Sequence, residues 1–97
     1  MAFVQIMECR TGEVEKIQQL EDQCRAATEG KRTLRRSIVA RDRSDPKRYL
    51  IFAFFDSYES AMENSNLPET SEFAEKQAAL MDGPIAFQDL DVIEDRS

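Results

Sequence analysis

Tyr58 and Asn64 are the side chains best placed by type and position to meet a small molecule. One is a phenol, the other a carboxamide, and both fall on one short helical segment. Six residues separate them, more than one turn and not strictly one face, so helix capping and core packing compete with a site. Around them the phenylalanines Phe52, Phe54, Phe55, Phe73 and Phe87 form an aromatic group. Such a group builds a core as readily as it lines a pocket, but small-molecule pockets are mostly apolar with a few polar groups. Other chemistries fare worse. The chain has no histidine, which removes the commonest general base and the commonest metal ligand. Its two cysteines, Cys9 and Cys24, form no CxxC pair and cannot complete a zinc site without histidine. Both lie among apolar positions, and free, buried thiols are expected. Ser57 and Ser60 have no base beside them in sequence, so neither reads as a nucleophile. The carboxylate pairs Glu13/Glu15, Asp89/Asp91 and Glu94/Asp95 lack the further ligands a metal would need, and no metal site is expected.

The elements that must position these residues follow from periodicity. Ala2 to Arg10 is rich in strand formers and largely apolar on both parities, the pattern of a strand covered on both sides. Thr11-Gly12 breaks it and offers an N-cap. From Glu13 to Glu29, Val14, Ile17, Leu20, Cys24 and Ala27 recur at helical steps, and Gly30 is a suitable stop. Thr33 to Arg43 reads as a polar edge strand. Ser44-Asp45-Pro46-Lys47 reads as a turn. Arg48 to Phe55 reads as a central strand, because no polar residue interrupts Tyr49 to Phe55. Leu50, Phe52 and Phe54 share one parity; Tyr49, Ile51, Ala53 and Phe55 share the other. Asp56 is the expected N-cap of the next helix, with Glu59 reaching back as in a capping box. A second helix starts near Pro68 and runs to about Met81, Asp82-Gly83-Pro84 stops it, and Ile85 to Ile93 is the last strand.

Length and charge bound the class. The 97 residues fit one domain, 1–97. Apolar residues make up 41% and charged residues 33%, a composition for a folded chain rather than a disordered or membrane-embedded one. No apolar run approaches the roughly 18–20 residues that cross a bilayer, and the N-terminus lacks the pattern of a signal peptide. The cytoplasm is therefore expected, with no membrane partner. The net charge is -6, yet residues 31–48 carry eight basic groups against two acidic ones. An acidic chain repels nucleic acid at long range, so no nucleic-acid partner is expected. The basic block is expected to be a solvated hairpin paired to acidic surface, with an anion site as the alternative.

The order strand, helix, strand, strand, helices, strand is the ferredoxin-like βαββαβ arrangement: an α+β fold with a four-stranded antiparallel sheet and helices on one face. Two strands are apolar on both parities, so the other face needs a cover. A second copy of the same sheet supplies it, which predicts a homodimer through the sheet face.

In these elements the chain resembles the dimeric α/β-barrel superfamily, close to the antibiotic biosynthesis monooxygenase-like proteins. The segment Phe55-Asp56-Ser57-Tyr58-Glu59-Ser60-Ala61-Met62-Glu63-Asn64 is similar to the strand end and helix of that family, as is the hairpin Arg41-Asp42-Arg43-Ser44-Asp45-Pro46-Lys47-Arg48-Tyr49. The family commonly has tryptophan where this chain has Phe55 and histidine where it has Asn64. Haem-degrading members use that histidine to hold iron, and Asn64 is a poor iron ligand, so no cofactor is expected. Cofactor-free members bind phenolic substrates with pocket Asn, Trp, Tyr and Arg. The resemblance thus implies a ligand site for a small apolar or aromatic molecule between sheet and helices, made from Gln5, Phe52, Phe54, Phe55, Tyr58, Asn64 and Phe73. Two rivals stand beside simple binding. One is a cofactor-independent monooxygenase acting on an activated phenol or enol; the other is a purely structural dimer module. Catalytic residues are not assigned.

Overall fold

The computed structural model describes residues 2–97. Seven elements run along the chain: β1 (Phe3–Arg10), α1 (Val14–Ala27), β2 (Arg36–Asp42), β3 (Asp45–Phe55), α2 (Tyr58–Ser65), α3 (Pro68–Ala79) and β4 (Ala86–Asp91). The strands form one antiparallel sheet in the order β2-β3-β1-β4. The two most apolar strands, β3 and β1, take the centre, as their patterns require. The more polar β2 and β4 take the edges, and every residue of β4 is exposed. No helix among the described residues is long and apolar enough to cross a membrane.

Two local expectations are corrected. The hairpin turn is Arg43-Ser44, not Ser44 to Lys47, because Asp42 pairs directly with Asp45. Asp42 Oδ1 accepts from the Ser44 N–H at 2.7 Å, which closes the turn. Pro46 is tolerated in β3 because it lies beyond the last β1 pair, Arg10 with Arg48, and beside a bulge in the β2 ladder. The N-cap of α2 is Ser57, not Asp56: its hydroxyl accepts from the Ser60 N–H, and Ser60 Oγ accepts in return from the Ser57 N–H. Asp56 is drawn away by Arg35, whose guanidinium donates to it at 2.6 Å and holds its carboxyl below the usual range.

The helices lie over the parity that contains Phe3, Tyr49, Ile51, Ala53 and Phe55. Two apolar clusters anchor them. Phe3, Ala53, Phe55 and Ala61 gather at one end of the sheet, with Leu34 packed against them. Cys9, Tyr49 and Ile51 gather at the other, with Met7, Val14, Met81 and Ile85. α1 ends earlier than Gly30, at Ala27 with Thr28 as its C-cap, and Gly30 at φ +81° turns the chain beyond it; Gly83 leads into β4 at φ +106°, both in the region that glycine alone enters without strain.

Thr11 ties the second cluster's end together. It is 2% exposed; its hydroxyl donates to the Leu80 carbonyl at 2.7 Å and accepts from the Glu13 N–H at 2.9 Å. Replacing it with valine keeps the shape and strands both partners. Thr11→Val is expected to cost about 2 kcal/mol in a denaturant titration, the penalty for buried polar groups left unpaired.

The opposite face of the sheet has no helix on it. There the register aligns Val4, Phe54 and Leu90, and one step along Ile6, Phe52 and Ile38, with Leu50 beside Ala40. This apolar band ends in an ion cluster: Arg48 bonds Glu8 and reaches Asp42 at 3.0 Å, and Arg10 bonds Asp45.

Candidate functional site

Between the two apolar clusters the helices stand off the sheet and leave a cavity of about 550 Å³. Its cause is side-chain size. Part of the sheet's inner face carries only short or polar side chains, Gln5, Ser37 and Ala53. The helices face these with Cys24 of α1, its C-cap Thr28, and Ala74, Gln77 and Ala78 of α3. Short or polar side chains facing one another leave this gap unfilled. Met7, Ile51, Phe55, Phe73 and Phe87 supply the apolar wall.

Four of the residues expected from sequence meet here: Gln5, Phe55, Asn64 and Phe73. Three do not. Phe52 and Phe54 point to the helix-free face, because strand alternation sends them opposite to Phe55. Tyr58 is half exposed and stacks edge-on against Phe3 at 5.5 Å. It borders a separate depression with Asp89 and Asp91 rather than the cavity. Sequence reasoning missed Ser37, Thr28 and Gln77. Their signal was available: small or polar residues at inward positions of α1, α3 and β2, where a filled core would need large aliphatic ones.

The polar groups of the cavity are partly committed. Gln5 Nε2 donates to Asp89 Oδ1 at 3.0 Å across the β1–β4 ladder, so its Oε1 remains an open acceptor. The Thr33 N–H donates to Asn64 Oδ1 at 3.2 Å, which orients that amide and leaves Nδ2 as the open donor. The Thr28 hydroxyl is spent on the Cys24 carbonyl at 2.7 Å. Charge is confined to one side. Arg25 pairs with Glu21 at 3.7 Å, and Arg32 donates to the Arg25 carbonyl at 2.9 Å. Cys24 is a free thiol whose pKa is pushed up, first by burial and then by Glu21. It is therefore protonated near neutral pH and unsuited to attack. Cys9 is also free and buried, with its pKa raised for the same leading reason. No group of three or more acidic or cysteine ligands comes together among the described residues.

The basic block proves only partly paired. Lys31 bonds Glu69, Arg35 bonds Asp56 and Arg48 bonds Glu8 and Asp42. These are surface pairs, individually weak in water.

No family model and no curated protein matches the sequence. Solved structures do match the fold. A variant of SnoaB, a cofactor-independent oxygenase from Streptomyces nogalater, superposes with a TM-score of 0.80 at 12% identity, covering 97% of this chain and 95% of that one. The chain has the fold of the antibiotic biosynthesis monooxygenase-like proteins. Two proteins assigned that name agree. The one from Nitrosomonas europaea gives a TM-score of 0.76 at 12% identity, covering 95% of this chain and 90% of that one. The one from Chloroflexus aurantiacus gives 0.76 at 16% identity, covering 100% and 98%. Within this monooxygenase-like fold the cavity lies between sheet and helices, floored by β1 and β3 and roofed by α1 and α3.

Proposed function

We propose that this protein binds a small apolar or aromatic molecule in the cavity between sheet and helices, and that it works as a homodimer closed through the helix-free sheet face. The cavity is the observation that carries this reading. Its volume falls in the range of small-molecule sites, and its lining is apolar with a few convergent polar groups. The dimer rests on the uncovered band of Val4, Ile6, Ile38, Leu50, Phe52 and Phe54. Burying several hundred Å² of such surface at roughly 25 cal/mol per Å² contributes on the order of 10 kcal/mol before association costs. Two free thiols suit a reducing compartment, which supports the cytoplasm.

A second reading, a cofactor-independent monooxygenase for an activated phenol or enol, is favoured by the likeness to SnoaB. In that case Asn64 Nδ2 would hydrogen-bond the substrate oxygen, and Arg25 and Arg32 would favour its anion. Tyr58, being outside the cavity, has no part in it.

Titration with 2-ethylnaphthalene, followed by its fluorescence, tests binding: saturable uptake of one molecule per chain is expected, and no uptake refutes the proposal. Oxygen consumption with a panel of polyphenols, measured with and without Asn64→Ala, separates the readings. Consumption lost in the variant makes the protein an enzyme, and none across the panel leaves binding alone.

A further inference from the structure

Gln77 is 5% exposed, and no group among the described residues hydrogen-bonds its side-chain amide. It lines the cavity, and its amide atoms are not sealed from it. Water reaches the amide through this opening, and a ligand that displaces that water loses affinity unless it replaces the hydrogen bonds. Thr28, the comparable buried polar group on the facing helix, is satisfied by its own helix. Gln77 therefore stands out as the buried polar residue of the cavity whose donor and acceptor are both open to a ligand.

Its chemistry specifies what that is. A carboxamide presents an acceptor oxygen and donor N–H groups on one planar edge. A single ligand group satisfies both by offering a donor and an acceptor side by side. A phenol ortho to a carbonyl closes that pair on itself and is poorly suited. A carboxylate has no donor to offer the amide oxygen, and the arginines Arg25 and Arg32 lie on one side of the cavity, Arg25 paired with Glu21 and Arg32 donating to the Arg25 carbonyl. The open Gln5 Oε1 and Asn64 Nδ2 add one neutral acceptor and one neutral donor. Building on the proposed binding function, we propose that Gln77 is the specificity-determining anchor of the cavity, and that it selects a neutral, mostly apolar ligand bearing a carboxamide or lactam. The two amides pair reciprocally, each N–H donating to the other's carbonyl, while the ligand's apolar body lies against Met7, Ile51, Phe55 and Phe73.

Three probes of similar area separate this proposal from the binding function beneath it: 2-ethylnaphthalene, N,N-dimethyl-2-naphthamide and 2-naphthamide. The wild type is expected to bind 2-naphthamide at least ~10-fold tighter than its dimethylated analogue, the scale of a hydrogen-bonded pair in an apolar site. Gln77→Met, close to Gln77 in volume, is expected to abolish that preference, and its binding of 2-ethylnaphthalene reports that the cavity is still formed. Equal affinity of the wild type for the two naphthamides overturns the proposal without any variant, and so does a preference that survives in Gln77→Met. Binding of 2-ethylnaphthalene in those outcomes leaves the cavity function standing. Failure of all three probes to bind removes both.

Discussion

Phe52→Lys is expected to yield a folded monomer under conditions where the wild type sediments as a dimer. Phe52 lies in the middle of the helix-free face, in register with Ile6 on one side and Ile38 on the other. In a two-fold assembly each substitution enters the interface twice. Two lysines would lose their hydration against apolar neighbours, and the nearest carboxylates of that face, Glu8 and Asp42, are already held by Arg48. The dimer dissociation constant is expected to rise by at least ~1000-fold, about 4 kcal/mol. Sedimentation equilibrium at micromolar chain concentration reads this directly. The Tm is expected to become independent of protein concentration in the variant, whereas the wild type's should rise with it. A wild type that sediments as a monomer would refute the interface. Binding in the cavity lies on the other side of the sheet and reports separately.

Ser37→Trp is expected to close the cavity while leaving the fold intact. Ser37 sits on edge strand β2 opposite Ala53, half-buried and lining the cavity, with no side-chain hydrogen bond among the described residues. An indole there enters open space, so the usual penalty for overpacking a filled core does not apply in full. Tryptophan also suits a strand. Affinity for 2-ethylnaphthalene is expected to fall at least ~100-fold, about 2.7 kcal/mol, with the Tm within a few degrees of the wild type. Unchanged affinity would place the probe elsewhere. A collapse of the Tm would mean that the gap is smaller than its lining suggests.

The contrast between these two faces shows how far the sequence can be read. The uninterrupted apolar run from Tyr49 to Phe55 marks β3 as central, and the structure places it between β2 and β1. Alternation along the chain also divides that strand into two parities. What alternation lacks is a sign: nothing in Phe52, Phe54 and Phe55 says which parity the helices will cover. All three therefore belong to one expected ligand set, and only Phe55 lines the cavity. Tyr58 and Asn64 share a helix, yet six residues at roughly 100° each turn them well away from one another. The shift of the N-cap from Asp56 to Ser57 has a similar origin. Either residue can cap, and the choice is made by Arg35, distant in sequence, which engages the aspartate.

From residues alone come the order of elements, the antiparallel sheet, the absence of histidine chemistry and the need for two covers over two apolar surfaces. These depend on local periodicity and composition, which each segment carries by itself. Only the tertiary structure decided which surface the helices took, and only it opened the gap and left the Gln77 amide beside it with no partner among the described residues. Such outcomes depend on how far apart packed elements come to rest, and that distance is set by the bulk of side chains brought together from opposite ends of the chain.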